Sequence, residues 1–211
     1  MMRKTKILSL IVALPVILAA TAVFAGSQQN ESLADNSPAL KNAVILIIRH
    51  AEKPESGYVL SPQGQARAQA YVKYFQNYTI DSKPLRIDYL FSSADSEKSH
   101  RPRLTIEPLS KALGIKIDTR FKNDEFSELA REIQSRPHGK HILICWHHGR
   151  IPLLLNALGV DPNQLLPQGK WPADVFCWVI QLRYNENGQL FNSMCINENL
   201  MPGDSTKHPL K

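Results

Sequence analysis

Apolar and polar positions fall into blocks whose period changes along the chain. "AVILII" (43–48) is an unbroken apolar run too short for a helix core, and it predicts a strand buried on both faces. "LSPQGQARAQAYVKYFQNY" then shifts to helical spacing, with Ser61 as N-cap, Pro62 at the first helical position and Ala66, Ala70 and Tyr74 on the apolar face. "IDYLFSS" (87–93) reads as a second strand, and "PRLTIEPLSKAL" (102–113) as a helix closing near Gly114. "IKIDTRF" is extended. "DEFSELAREIQS" (124–135) is a helix with Phe126, Leu129 and Ile133 on one side. "HILICW" (141–146) is another continuous apolar strand, and "IPLLLNALG" (151–159) is a helix ending at Gly159. "VFCWVIQLRY" and "LFNSMCINE" form a late hairpin that turns at Asn187-Gly188. Strands that are apolar on both faces, alternating with helices, predict a three-layer α/β/α sandwich with a mostly parallel central sheet.

The N-terminus stands outside this alternation. "MMRKTK" is basic, the next nineteen residues carry no charge, and Val23-Phe24-Ala25 place small residues at the −3 and −1 positions. That is the pattern of a secretory signal peptide over residues 1–25, cut after Ala25, rather than of a retained anchor. It predicts a periplasmic or secreted protein with no stable membrane insertion after cleavage. The charge argument changes accordingly. Arg3, Lys4 and Lys6 lie in the segment and no acid does, so 25 basic residues become 22 against 19 acidic ones. A net +3 with no basic run interleaved with aromatics gives no reason to expect nucleic acid as a partner, but suits a small anionic substrate. The oligomeric state is left open.

Residues 26–41 are polar and aperiodic and read as a flexible leader, residues 42–200 as one domain, and residues 201–211 as a polar tail. Cys145, Cys177 and Cys195 all fall in apolar, strand-like surroundings. An oxidising compartment allows Cys177 and Cys195, on successive late strands, to pair; three buried thiols are the alternative. No CxxC or zinc spacing occurs.

Chemistry gathers at the strand ends. In open α/β sheets ligands sit beyond the carboxyl ends of the strands. The first strand ends in Arg49-His50, "ILICW" ends in His147-His148, and "DYLFSS" leads to Arg101 directly before Pro102. Arginine forks match phosphate oxygens, and a neutral imidazole is a nucleophile. Together they predict a metal-free phosphoryl-transfer site. Two histidines next to each other on an extended segment would point to opposite faces, which argues against a shared metal ion. Trp146, Trp171 and Trp178 are expected in the core, and His100 and His141 at the surface.

"LIIRHAEKP", "LSPQGQARAQA", "SS…RPRLTIEPL" and "ILICWHHGRIPLLL" resemble, in order and spacing, the histidine phosphatase (phosphoglycerate mutase-like) superfamily, from about residue 43 to about residue 185. The resemblance implies the phosphoglycerate mutase-like fold, no cofactor, and a small-molecule phosphate ester as substrate. It implies His50 as the nucleophile that forms a phosphohistidine, Arg49 and Arg101 as phosphate ligands, and His147 as the second histidine, four residues before Ile151. Arg101 takes its place from the Arg-x-x-x-Thr pattern ending at Thr105; Arg103 is the alternative. His148 is pocket lining.

A carboxylic acid should protonate the leaving group. The family draws it from the segment between the second arginine and the second histidine, where "FKNDEFSEL" offers Asp124 and Glu125. Asp124 is also a candidate helix N-cap, and Asp174 is a third candidate acid. Three functions stay open: an exported phosphomonoesterase, a non-catalytic phosphate-ligand binding protein on the same fold, and a phosphomutase. The short stretch between Arg101 and His147 leaves little room for the cap a mutase needs.

Overall fold

The structure is a computed structural model and describes residues 39–204. The predicted signal peptide and most of the predicted leader lie outside the described residues. In chain order the elements are β1 (Val44–Arg49), α1 (Pro62–Gln76), β2 (Thr79–Ile80), β3 (Lys83–Pro84), β4 (Tyr89–Ser92), α2 (Arg101–Leu113), β5 (Ile117–Asp118), α3 (Phe126–Ser135), β6 (His141–Trp146), α4 (Ile151–Ala157), β7 (Trp178–Tyr184) and β8 (Leu190–Asn197). Six strands form one sheet in the order β5-β4-β6-β1-β7-β8, while β2 and β3 make a small separate hairpin that the sequence does not announce. β5, β4, β6 and β1 run parallel; β7 is antiparallel to β1, and β8 to β7. This is the expected mostly parallel central sheet.

The pleat of β1 divides the core. Ile45 and Ile47 face a cluster with Leu129, Ala130 and Ile133 of α3 and Ile151, Leu154 and Leu155 of α4. Val44, Leu46 and Ile48 face the opposite cluster, with Tyr71 and Phe75 of α1 and Ile106 and Leu109 of α2. Successive side chains on a strand point to opposite faces, so a strand apolar throughout requires a helical layer on each side. The three tryptophans are buried, as expected.

Helix α1 corrects the expected apolar face by one residue. Ser61 does cap it, accepting from Gly64 N–H at 3.1 Å. The buried residues are Gly64, Arg67, Ala68, Tyr71 and Phe75, whereas Ala66 is exposed. The unforeseen member is Arg67, 1% exposed. Its guanidinium grips Glu52 (2.8 Å), Glu198 (3.0 Å) and Asp204, and Tyr71 Oη donates to Glu198 at 2.9 Å. Arg67 thereby ties the segment just after His50 to the far end of the chain. Residues 201–204 are accordingly more than a polar tail: the Asp204 carboxylate is buried against Arg67. At the other end Leu40, within the predicted leader, is 6% exposed and packs in the core.

Gly64 lets α1 approach. A Cβ there would stand 2.4 Å from the Glu52 carbonyl oxygen and 2.9 Å from its nitrogen, both backbone atoms. Gly64→Ala is therefore expected to lose roughly 1–3 kcal/mol in urea unfolding through overpacking, despite alanine's higher helix propensity. A gain in stability would show that the contact relaxes freely.

The three cysteines are buried, and none of them forms a disulfide. α3 begins at Phe126 with Glu125 at the N-cap, so Asp124 lies in the preceding turn and does not cap it.

Candidate active site

His50 follows β1 directly, and its backbone N–H still donates to Trp146 O at 2.9 Å, as though the strand continued. The ring is 4% exposed. Nδ1 lies 2.7 Å from Ala51 O. A carbonyl only accepts, so Nδ1 carries the proton and Nε2 keeps its lone pair. Burial, opposed by the Ala51 bond and aided by the charges of Arg49, His147 and Arg101, brings the ring's pKa down to about 2.

The pleat separates Arg49 from His50. Arg49 turns toward the α3/α4 side and is 2% exposed. Its Nη1 donates to Pro172 O (3.3 Å), Ala173 O (2.9 Å) and Val175 O (2.8 Å), and its guanidinium lies 3.8 Å above the Phe176 ring. Nη2 lies 3.2 Å from His148 Nδ1. Nε is buried and meets no protein acceptor. Burial lowers the Arg49 pKa to about 10, leaving it charged at neutral pH.

Arg101 is the first residue of α2, one position earlier than the sequence reading had the helix begin. Its Nη1 donates to Gly57 O at 3.1 Å and its Nη2 to Lys98 O at 3.4 Å, while its Nε, like that of Arg49, is buried without an acceptor. Arg103 is engaged elsewhere, with Asp95 at 2.9 Å and Glu107 at 3.6 Å. Thr105 joins the two halves of the site. Its hydroxyl accepts from Ala51 N–H at 2.9 Å and donates to Arg101 O at 2.8 Å, fixing the loop after His50 against the start of α2.

The His147 ring centroid is 5.1 Å from that of His50, and the His148 centroid 6.3 Å. Both rings face His50, contrary to the expectation of opposite faces. β6 stops at Trp146 and residues 147–150 form a turn, so the period-two rule no longer applies. Burial is the main cause that lowers both rings to about 4, assisted at His147 by Arg101 and at His148 by Arg49 and Lys53.

The carboxylates are dispersed. Asp124 is exposed. Glu125 accepts Lys122 N–H at 2.8 Å and pairs with its ammonium at 3.8 Å. Asp174 is exposed but sits between Ala173 and Val175, whose carbonyls hold Arg49, and its charge reaches that guanidinium. Of the three candidate acids, Asp174 is the one that the fold sets beside a site arginine.

Sequence reasoning did not anticipate the buried pair of Glu52 and Arg67, the Phe176 platform, or the buried, unpartnered Ser93 hydroxyl just past β4. The Arg-x-x-x-Thr spacing was the available signal for Thr105; no local pattern marked Arg67.

The protonation state of His50 is directly measurable. His50 is expected to hold its Nδ1–H tautomer without titrating from pH 8 to pH 4.5, read by long-range ¹H–¹⁵N correlation. Because the folded pKa lies below the unfolded value near 6.5, His50 contributes stability that is full above pH 6.5 and is lost as pH falls toward 2. A transition near pH 6.5 would contradict the buried, neutral ring.

No protein-family model matches the chain, and no curated protein does. Solved structures do. Phosphoglycerate mutase from Plasmodium falciparum is 13% identical, with 80% of this chain and 99% of that one covered at a TM-score of 0.49. An Agrobacterium tumefaciens protein described as a phosphohistidine phosphatase SixA is 17% identical over 77% of this chain and 99% of its own, at 0.46. The protein histidine phosphatase SixA, solved with tungstate, is 13% identical over 72% and 96%, at 0.42. These are members of the histidine phosphatase superfamily, which the sequence motifs resemble.

Proposed function

We propose that the chain is a metal-independent phosphomonoester hydrolase that works through a phosphohistidine at His50, on exported small or envelope-derived phosphate esters. One observation carries this reading: a buried neutral histidine with a free Nε2 lone pair lies near two arginines whose Nε–H groups are buried without protein acceptors. Buried donors in native structures are nearly always satisfied, so two orphans beside a nucleophile fit an anion.

In the first step Nε2 attacks phosphorus and the ester P–O bond breaks, its electron pair leaving on the alkoxide, which takes up a proton. Asp174 is the candidate donor. In the second step the Asp174 carboxylate takes a proton from water as its oxygen attacks phosphorus, the N–P bond breaks, and its electrons return to Nε2. Arg49, Arg101 and the His147 ring offset the charge that builds on the phosphoryl oxygens. Nδ1–H held by Ala51 O keeps the reactive tautomer throughout, the role an orienting acceptor plays for any imidazole nucleophile.

The test is phosphate release by the chain lacking residues 1–25, in EDTA, against aryl phosphates, sugar phosphates and lipopolysaccharide-type phosphates. Turnover that disappears in His50→Ala supports the hydrolase. A folded chain that binds inorganic phosphate yet turns over none of these esters would favour the non-catalytic binding protein.

A further inference from the structure

We propose that His148 is a positioning residue of the phosphate site: its Nδ1 takes one Nη2–H of Arg49 and so orients the guanidinium edge that receives the phosphoryl group. This rests on the phosphoryl-transfer reading of the site.

The argument is a count of donors. A guanidinium has five N–H groups and accepts nothing. Nη1 spends both of its hydrogens on the carbonyls of residues 172, 173 and 175. Nη2 lies 3.2 Å from His148 Nδ1. Since Arg49 can only donate, Nδ1 must be the lone-pair nitrogen of His148, and the ring proton is on Nε2. What remains is Nε–H, buried without an acceptor, and one Nη2–H. Nε and Nη2 bound the same edge of the guanidinium plane, and two parallel N–H groups on one edge form the fork that matches two phosphoryl oxygens. With His148 on the Nη2 hydrogen nearer Nη1, the carbonyls and His148 leave one bidentate edge free.

The surroundings suit this role. Phe176 supports the guanidinium plane from one face at 3.8 Å. His148 is half-buried, and Arg49 and Lys53 both disfavour its protonation. Its ring centroid lies 6.3 Å from that of His50, and its tautomer follows from the Arg49 contact. A protonated His148 would turn Nδ1 into a donor facing a guanidinium, and the contact would be lost.

Three measurements test this. In the unliganded protein, ¹H–¹⁵N correlation is expected to show His148 with Nε2–H and a bare Nδ1, with the Nδ1 shift moving in Arg49→Lys. This readout does not depend on turnover, so it stands even if the hydrolase reading fails. His148→Ala is expected to lower kcat/KM by about 10- to 100-fold through misplacement of Arg49, and to weaken inorganic phosphate binding by a similar factor. His148→Asn, whose amide oxygen can replace Nδ1, should recover most of that loss, and His148→Gln should not. Combining His148→Ala with Arg49→Lys should cost little more than Arg49→Lys alone. An Nδ1–H tautomer at His148, a His148→Ala enzyme within twofold of wild type, or fully additive losses would each overturn the proposal.

Discussion

His50→Ala is expected to reduce phosphate release to background, a loss of about four orders of magnitude or more, because on the proposed mechanism His50 is the covalent nucleophile and its removal takes away the reaction path and not merely a contact. The fold should survive. The ring makes one hydrogen bond, to Ala51 O, and a buried imidazole with a pKa near 2 gains nothing from charge at neutral pH. Circular dichroism and urea unfolding of the variant should therefore show a native-like chain. The wild type quenched during turnover should carry a phosphoryl group that is labile in acid and stable in alkali, the behaviour of an N–P bond, and the variant should carry none. Residual activity of more than about one per cent, or a phosphoenzyme stable in acid, would remove His50 from the role.

Arg67→Ala has the largest expected effect on stability, about 3–5 kcal/mol, because it leaves carboxylates in the interior without a counter-charge. Arg67 holds Glu52, Glu198 and Asp204 together, and among the described residues one Glu198 oxygen has no hydrogen-bond partner. Burial raises the Glu198 pKa to about 8 against the pull of Arg67 and Tyr71. A carboxyl whose folded pKa lies above its unfolded value contributes stability that is full below about pH 4.5 and is lost as pH rises through 8. Without Arg67 the Glu198 carboxyl is pushed further upward, and Asp204 loses the partner that helps hold its carboxyl down. The deficit of Arg67→Ala, measured by urea unfolding, should therefore be larger at pH 8 than at pH 5. A deficit under about 1 kcal/mol at both would mean that water or rearrangement replaces the guanidinium. Because Glu52 lies two residues beyond His50, the variant should also lose activity at temperatures where it remains folded.

Part of the site was legible because it depends on neighbours in sequence. A strand end delivers Arg49 and His50 together, and the spacing from Arg101 to Thr105 is one helical turn, so their proximity was readable from the chain. The direction of each side chain was not. Arg49 lies beside His50 in sequence, yet its Nη1 ends in a cage of carbonyls from residues 172–175, more than a hundred positions away. His147 and His148 both face His50 because β6 stops one residue before them, and strand termination depends on the partner strand's hydrogen bonds. Asp124 and Glu125 had the composition of an acid site, but the turn before α3 commits Glu125 to Lys122.

The sequence by itself determined the layers and the chemistry on offer. Continuous apolar strands require cover on both faces, helical periods supply it, and arginine and histidine at strand ends are costly in a core unless they are used. Only the tertiary structure decided which donors stay free and which are spent. That depends on acceptors brought in by distant segments: the 172–175 carbonyls for Arg49, and Glu198 and Asp204 for Arg67. An arginine's meaning in this fold is set by what remains unpaired after the chain has closed around it, and no local pattern in the sequence carries that sum.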